Sequence, residues 1–299
     1  MRHAFLIFAH SDKGLLKTLI AMLDHEQNDI YLHIDRKCKD FSPEDFSTTK
    51  AGLYRCPRRK IYWGHHGMVE TELELFAQAR QRGGYAYYHV FSGSDLPIKS
   101  QQEIHRFFSK HKGKEFVSYW QEEGHRGDAR LKVIRYHLGL RWEKIRPRLL
   151  SILVAKVRYL VGDLLTALLG ERDFPWTIYK GANWVSVTES FVDYLLEHRE
   201  QIVKRYKYTR SGDEIFIQSL LWDSPFRERL YRPSQDRSQE GYRDDACLRE
   251  IYWRDDANSP EVWRLKDLDQ LLCSPNLFAR KFSTSVDAEI ITELYKRLG

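Results

Sequence analysis

The feature that most limits the fold is a regular alternation of apolar strands and amphipathic helices in the first hundred residues. An apolar run that ends at His10 predicts a first strand, and Lys13–Leu23 predicts a helix with one apolar face. Residues 69–82 predict a second helix. Further strands are predicted at residues 29–35, 60–63 and 86–91. This order favours an α/β fold, in which helices flank a Rossmann-like, mostly parallel central sheet.

Length and composition are those of a globular protein. The chain has 299 residues, of which 42% are hydrophobic and 30% charged. A formal net charge of +6 suits an anionic ligand, an anionic membrane or nucleic acid, and does not choose among them. The four cysteines are scattered without CxxC spacing, which favours reduced thiols and a cytoplasmic protein. The first apolar run is shorter than a signal peptide requires, and no segment has the roughly 18 apolar residues of a spanning helix.

Polar side chains follow the predicted strands in the first half. In parallel sheets of this kind, ligands bind beyond the carboxyl ends of the strands. The sequence has neither a GxGxxG turn nor a P-loop lysine, which disfavours a dinucleotide or P-loop site. Zinc is disfavoured at His65 and His66, since no carboxylate or cysteine stands at ligand spacing. The strand-end residues that indicate a ligand cleft are His10, Ser11, Asp35, Arg36, Lys37, His65, His66 and Asp95.

The second half is expected to resume the alternation. Residues 179–187 predict a strand, and residues 189–198, 265–272 and 286–298 predict helices. The sequence of residues 267–269 spells DxD, the metal motif of many nucleotide-sugar enzymes. It falls inside a predicted helix and is interpreted as surface charge.

Residues 209–221 contain the strongest single candidate for chemistry. Ser211 or Asp213 is expected to cap a helix whose apolar positions begin at Ile215, and Glu214 is then in its first turn. A carboxylate at that point either completes the cap or faces a cleft, and both interpretations stay open on this stretch alone.

The segment from Arg146 to Glu171 combines a broad leucine-rich face with several basic residues. A core helix or partner interface is one interpretation. The other is an amphipathic helix that lies on an anionic membrane, which would suit a lipid-linked substrate.

Six short pieces of this sequence resemble the core-2/I-branching N-acetylglucosaminyltransferase and peptide O-xylosyltransferase family, glycosyltransferase family 14, in a bacterial-type form. They occur in the family's order, and residues 121–176 remain unmatched. The pieces are Phe8-Ala9-His10, His33-Ile34-Asp35-Arg36-Lys37, Ser92 to Lys99, Gly181 with Trp184, Gly212-Asp213-Glu214, and Leu277-Phe278-Ala279-Arg280-Lys281-Phe282.

The resemblance implies a GT-A-type fold and an inverting transfer from a UDP-sugar without a metal. It implies that Glu214 is the catalytic base. The residues it implies for the nucleotide-sugar are Ala9, His10, Asp35, Arg36, Asp95, Arg280 and Lys281, with Arg254 or Arg264 as a second arginine for the diphosphate. The expected acceptor contacts are Trp184, Asp213, Tyr252 and Trp253.

Inversion by a single displacement requires one carboxylate near the acceptor hydroxyl, and fixed cations can stabilise the leaving diphosphate. The expected organisation is one domain over residues 1–299. It comprises a nucleotide-binding half at 1–120, a helical insertion at 121–176 that faces a membrane or partner, and an acceptor and catalytic half at 177–299.

The sequence therefore predicts transfer of N-acetylglucosamine or xylose to a glycan or lipid-linked glycan of a bacterial surface polysaccharide. The expected location is the cytoplasm or the inner face of the membrane, with neither cofactor nor metal. A metal-dependent transferase, a catalytically inactive carbohydrate-binding protein and a nucleic-acid-binding protein are the alternatives. The last is disfavoured because basic and acidic residues are interspersed.

Overall fold

The computed structural model describes residues 1–120, 123–143, 147–232, 246–253 and 259–299. The strands are β1 (His3–Ala9), β2 (Asn28–Ile34), β3 (Gly52–Arg55), β4 (Tyr87–Ser92), β5 (Asp95–Pro97), β6 (Ser186–Thr188), β7 (Arg249–Ile251) and β8 (Phe278–Arg280). The helices are α1 (Lys13–Leu23), α2 (Gly67–Arg82), α3 (Gln101–Lys110), α4 (Glu123–Ile134), α5 (Arg148–Leu169), α6 (Glu189–Glu197), α7 (Arg199–Tyr206), α8 (Phe216–Trp222), α9 (Leu268–Cys273) and α10 (Ala288–Leu298).

The central sheet has the strand order β3-β2-β1-β4-β6. Its first four strands are parallel, and β6 is antiparallel to β4. Successive residues of β1 point to opposite faces: Phe5 packs in one apolar cluster and Leu6 in the other. Both clusters are buried, so helices cover both faces of the sheet. The predicted α/β fold with a mostly parallel central sheet is therefore confirmed.

A second sheet of three short strands, in the order β5-β8-β7, lies next to the carboxyl end of β4. The β5 and β8 strands are antiparallel, with Asp95 opposite Arg280. The sequence analysis predicts no strand at residues 95–97. They form a strand because β8, from the far end of the chain, supplies its hydrogen-bonding partner.

Two predicted strands are wrong in position. Residues 60–63 lie in a loop and turn, and the third strand is β3, where the amide of Gly52 donates to the Asp29 carboxylate at 3.0 Å. Of residues 179–187, only the end enters the sheet as β6. The preceding stretch packs instead against residues 118–120, through hydrogen bonds such as that from the Trp120 amide to the Lys180 carbonyl at 2.8 Å.

The predicted cap before Ile215 is also wrong. Residues Gly212–Glu214 form a 3-10 turn, and α8 begins only at Phe216. Neither the Ser211 nor the Asp213 side chain caps that turn or helix. Ser211 adopts a left-handed conformation, φ 50°, and its amide donates to the Gly64 carbonyl at 2.8 Å.

The two sheets are joined by a buried cation. Arg249 is 1% exposed, and its guanidinium donates to the Val90 carbonyl at 3.0 Å and the Ser186 hydroxyl at 3.2 Å. It lies over the rings of Phe91 and Phe278, 4.7 and 4.6 Å from their centroids. Burial lowers the pKa of Arg249 to about 10. Its planar fork therefore links β7 to β4 and β6 in an apolar setting.

Among the described residues, no helix combines the length and the apolar character needed to cross a bilayer.

We predict that Arg249→Lys lowers the free energy of unfolding by about 2 kcal/mol or more, because an ammonium group cannot reproduce the fork of hydrogen bonds. The measurement is equilibrium denaturation in urea. Arg297→Lys, at the half-exposed end of α10, is the matched control and should be neutral. Equal stabilities of the two variants would show that the buried fork does not hold the sheets together.

Candidate active site

Glu214 lies at the end of the 3-10 turn that follows α7, with about a third of its side chain exposed. The turn needs a glycine before the two acids. A Cβ on Gly212 would lie 2.8 Å from the Tyr206 ring. The Glu214 carbonyl accepts from the Gly181 amide at 2.9 Å, which fixes the turn against residues of the second half. The tight turn and this backbone hydrogen bond thus hold a partly exposed carboxylate in place.

Two lysines face the Glu214 carboxylate. The Nζ atoms of Lys180 and Lys132 are 3.4 and 4.0 Å from Glu214 Oε2. Asp128 bridges the same lysines, at 3.0 and 2.8 Å. Burial lowers the pKa of Lys180, but attraction by Glu214 and Asp128 outweighs it and the net shift is upward. Burial, followed by repulsion from Lys180, lowers the pKa of Lys132.

Two further carboxyl groups lie behind Glu214. One oxygen of Asp213 is buried without a hydrogen-bond partner among the described residues, and burial, with repulsion from Glu214, raises the pKa of Asp213 to about 7. Glu72 of α2 is 0% exposed. Burial, and then Asp213, raises the pKa of Glu72 well above its ordinary value.

Asn183 is the polar neighbour of the buried Glu72 carboxyl. The described structure gives no hydrogen-bond partner for the Glu72 carboxyl oxygens or for Asn183 Oδ1. Interaction with the Asn183 side chain opposes the rise of the Glu72 pKa, but burial outweighs it. The Asp213 position behind Glu214 favours an influence on Glu214 over the acceptor contact predicted from the sequence.

The carboxyl ends of β1 and β2 carry His10 and Asp35. Asp35 is buried and accepts from the Lys37 amide at 2.8 Å, while Lys37 Nζ lies 3.4 Å from its other oxygen. Partial desolvation lowers the pKa of His10, with opposing contributions from Asp35, which raises it, and Arg280, which lowers it. His10, Asp35 and Arg280 are therefore within electrostatic range of one another.

Ala9 precedes His10 and Arg36 follows Asp35, and these two residues differ in exposure. Ala9 is buried, and a Cβ on Gly93 would lie only 3.1 Å from the Ala9 Cβ, so the loops after β1 and β4 approach closely. The Arg36 side chain is exposed, and its amide donates to the Arg59 carbonyl at 2.9 Å. An open depression of about 530 Å³ adjoins this loop and is lined by Arg36, Cys38, Lys39, Asp40, Phe41, Ser42, Asp45 and Arg58.

Arg280 is held by an acid and an aromatic ring. Its Nη1 lies 2.7 Å from Asp95 Oδ1 and also donates to the Ser92 hydroxyl. Its guanidinium lies over Trp184, 4.3 Å from the ring centroid. Asp95 is 0% exposed and also accepts from the Ser92 amide at 2.7 Å. Asp95 therefore acts by positioning Arg280, and Trp184 has one face covered by that cation.

Lys281, Tyr252 and Trp253 are the next residues that the sequence predicted. Lys281 Nζ donates to the Ser259 hydroxyl at 2.7 Å. Tyr252 and Trp253 are 50% and 40% exposed, and the Tyr252 ring is 6.1 Å from Trp263, whose amide donates to the Lys281 carbonyl. The Tyr252 ring is thus near the diphosphate candidate Lys281, whereas the sequence predicted an acceptor contact.

Arg254 and Arg264 are the alternatives for the second arginine at the diphosphate. Arg264 is exposed, and Asp287 of the loop before α10 is a charged neighbour. Arg254 falls outside the described residues.

The segment 180–184 connects Glu214 to Arg280. Lys180 faces Glu214 at one end, and Trp184 contacts Arg280 at the other. Four residue steps span at most about 14 Å, which limits the separation of the Cα atoms of Lys180 and Trp184. Gly181 makes the path possible, because a Cβ there would lie 1.9 Å from the Ser118 carbonyl oxygen.

Sequence reasoning missed Lys132, Asp128, Lys180, Glu72 and Asn183. Asp128 and Lys132 are four residues apart on α4, a spacing that predicts one shared helix face. Lys180 directly precedes the Gly181 noted in the sequence. Nothing in the sequence marks Glu72 as buried, because Glu70 and Glu74 on the same helix are acids that stay partly exposed.

Within the described ranges, no group of three or more His, Cys, Asp or Glu side chains could hold a metal ion. The DxD residues lie at the start of α9, where Asp267 accepts from the Arg264 amide at 3.0 Å. The ring centroids of His65 and His66 are 3.9 Å apart, and His66 Nε2 lies 3.8 Å from Glu70 Oε1.

Comparison with known proteins gives the family. The sequence profile of the Core-2/I-Branching enzyme family matches residues 3–262, and the chain belongs to that family. It is 24% identical to Xylosyltransferase 2 of Canis lupus familiaris over 97% of its length, and 23% identical to a xylosyltransferase of Ciona intestinalis over 93%. It covers 33% and 32% of those relatives, so the chain spans about a third of their length.

A solved structure, mouse xyloside xylosyltransferase 1 in its apo form, matches with a TM-score of 0.32 and 9% identity. The alignment covers 74% of this chain and 82% of that one. At that TM-score the two folds are not shown to be the same.

We predict that Gly181→Ala lowers the free energy of unfolding by about 1–3 kcal/mol, because its Cβ must displace the Ser118 backbone. Gly127→Ala on α4 is the control. A Cβ there meets nothing within 4 Å, so alanine should be neutral or stabilising by its helix propensity. Urea denaturation compares the two, and a neutral Gly181→Ala would contradict the close approach.

We predict that Glu72→Gln gains stability over the wild type as pH rises above about 5. Folded Glu72 keeps a proton that the unfolded chain releases, so rising pH favours unfolding of the wild type only. The difference should reach the order of 1 kcal/mol or more at neutral pH.

Thermal unfolding between about pH 4 and 8 tests this, since that range spans the ordinary glutamate pKa. Glu74→Gln on the same helix is the control with the opposite sign. A hydrogen bond from Arg199 lowers the pKa of Glu74. The Glu74→Gln variant should therefore lose stability relative to the wild type as pH rises. Parallel pH profiles for both variants would rule out a protonated Glu72.

Proposed function

We propose that the protein is an inverting glycosyltransferase of GT-A type, which transfers a sugar from a UDP-sugar to a hydroxyl group with Glu214 as general base. The observation that carries this proposal is the segment 180–184, which has Lys180 at Glu214 and Trp184 at Arg280. A carboxylate and a fixed cation at opposite ends of one short segment suit a displacement between an acceptor hydroxyl and a diphosphate leaving group.

The base side of the cleft supports proton removal. Glu214 is partly exposed and so can reach an acceptor, while Lys180 and Lys132 stand beside its carboxylate. As the acceptor hydroxyl forms its bond to the anomeric carbon, its proton passes to a Glu214 oxygen. The raised pKa values of Asp213 and Glu72 favour their neutral, protonated forms. In those forms they add no negative charge next to Glu214.

The leaving-group side supports stabilisation of UDP without a metal. The bond from the anomeric carbon to the β-phosphate oxygen breaks, and negative charge develops on that oxygen. Arg280 and Lys281 are neighbouring cations at the end of β8, and Arg280 is fixed by Asp95 and Trp184 before any donor arrives. A cation fixed in advance stabilises the developing charge without reorganisation. Metal-free transfer is part of this proposal.

The uridine end is assigned to the strand ends of β1 and β2. The buried Asp35 can accept from a uracil N–H or a ribose hydroxyl, and His10 lies in the same electrostatic environment. Arg36 and Ala9 border this position. The names of the relatives support xylose as the donor sugar, and the family name supports N-acetylglucosamine. Both remain in the proposal.

The acceptor is proposed to be a glycan, free or linked to lipid, and not a nucleic acid. Synthesis of a bacterial surface polysaccharide, in the cytoplasm or at the inner face of the membrane, stays a prediction of the sequence. The relatives reported above are animal proteins and do not address it.

We predict that Glu214→Gln lowers the rate of sugar transfer and of slow donor hydrolysis about 100-fold or more, because the amide cannot take the proton. The measurement is UDP release from UDP-xylose and UDP-N-acetylglucosamine with EDTA present. Asp269→Asn changes an acid of the DxD sequence in the same isosteric way and should leave the rate unchanged.

Loss of activity on EDTA addition, with Glu214→Gln fully active, would replace the proposal with a metal-dependent transferase that uses other acids. Binding of both UDP-sugars without any UDP release would indicate an inactive carbohydrate-binding relative.

A further inference from the structure

Helix α5 exposes its apolar side to solvent. The leucines at 149, 160 and 168 are 79%, 71% and 72% exposed. Ile152 and Tyr159 of this helix are also exposed. The leucine face, as named here, comprises the exposed residues Leu149, Leu150, Leu153, Val157, Leu160, Val161, Leu164, Leu168 and Leu169. Soluble proteins rarely expose so many contiguous large apolar side chains.

The opposite side of α5 is small and polar, and it is the side that packs on the protein. A Cβ on Gly162 would lie 2.5 Å from the Tyr136 carbonyl oxygen, so the helix backbone touches the chain after α4. Arg158 Nε donates to the Leu138 carbonyl at 2.7 Å, and Asp163 pairs with Arg135 at 3.1 Å. The apolar side of α5 thus faces solvent, whereas the apolar side of a core helix faces the protein interior.

Exposed basic residues and an exposed tryptophan lie on α5 and in the segment before it, together with exposed acids such as Asp163, which is paired with Arg135. Lys156 and Arg141 are exposed, and Trp142 beside Arg141 is 48% exposed. In the sequence, residues 141–148 contain four basic residues and one acid. Basic residues next to apolar ones, with tryptophan at the boundary, are typical of helices that lie in the interface of an anionic bilayer.

We propose that the leucine face binds the surface of an anionic lipid bilayer, with α5 parallel to the membrane. Charge complementarity selects this occupant. A second copy of the chain would bring another net charge of +6 to a basic region, whereas anionic headgroups attract it. The contacts of Arg158, Gly162 and Asp163 keep the other side of the helix on the protein.

This position also relates the membrane to the candidate active site. Arg210 donates to the Tyr159 hydroxyl of α5 at 2.6 Å and lies four residues before Glu214. Lys132 of α4 reaches Glu214 itself. A membrane-bound α5 therefore holds the base side of the cleft near the bilayer, where a lipid-linked acceptor would be. Only this consequence rests on the proposed function; binding to lipid does not.

The test is co-sedimentation of the full chain with vesicles of phosphatidylcholine alone and of phosphatidylcholine mixed with phosphatidylglycerol. The wild type should bind the mixed vesicles, and added salt should weaken binding. The variant with both Leu160→Glu and Leu164→Glu should bind about tenfold or more weakly, because two charges replace apolar contacts. These side chains are exposed, so its circular dichroism spectrum and melting temperature should match the wild type.

The variant with both Leu265→Glu and Val286→Glu is the matched control. These apolar residues are 37% and 39% exposed at the other end of the chain, and the same charge change there should leave most of the binding intact. A second variant carries Arg141→Glu and Lys156→Glu. It should bind the vesicles that contain phosphatidylglycerol more weakly than the wild type does, and its binding to phosphatidylcholine vesicles should be unchanged.

Equal binding by the leucine-face variant and the control would overturn the proposal. Failure of the wild type to co-sediment with either vesicle type would also overturn it. A dimer in sedimentation velocity that the leucine-face charges dissociate, without any vesicle binding, would assign the surface to a second copy instead. The proposed transfer activity, measured on a soluble acceptor, can fail or succeed independently of all these results.

Discussion

The close approach of Gly181 to the Ser118 carbonyl is the constraint on which the candidate site depends. It lets the chain run from Lys180 to Trp184 against the edge of the central sheet before it enters β6. One end of this path meets the carboxylate of Glu214, and the other end meets the guanidinium of Arg280. Any larger residue would separate the two ends, since backbone against backbone leaves no room for a side chain.

Local patterns predicted the first half of the fold well. Helix α1 has the expected bounds, and β1, β2 and β4 follow their apolar runs closely, because each buries its side chains on both faces of a parallel sheet. Strand β3 was missed because Gly52 begins it and only four residues pair. Strand β5 was missed because its partner is almost two hundred residues away.

The candidate site was predictable only where its residues are close in sequence. The acids at 213 and 214 and the basic pair at 280 and 281 are visible as neighbours. Lys132 and Lys180 reach the same carboxylate from two other segments, which only the folded chain brings together. Burial of Glu72 is likewise a property of the assembled core, and so is the raised pKa of Asp213.

The ion pair between Asp95 and Arg280 has a kinetic meaning within the proposed function. Arg280 carries its own counter-ion, so a departing diphosphate leaves behind a neutral pair and not a bare, desolvated cation. Separation of the product is correspondingly less costly than from an unpaired arginine. An acid that is fully buried can thus limit product inhibition through its arginine partner.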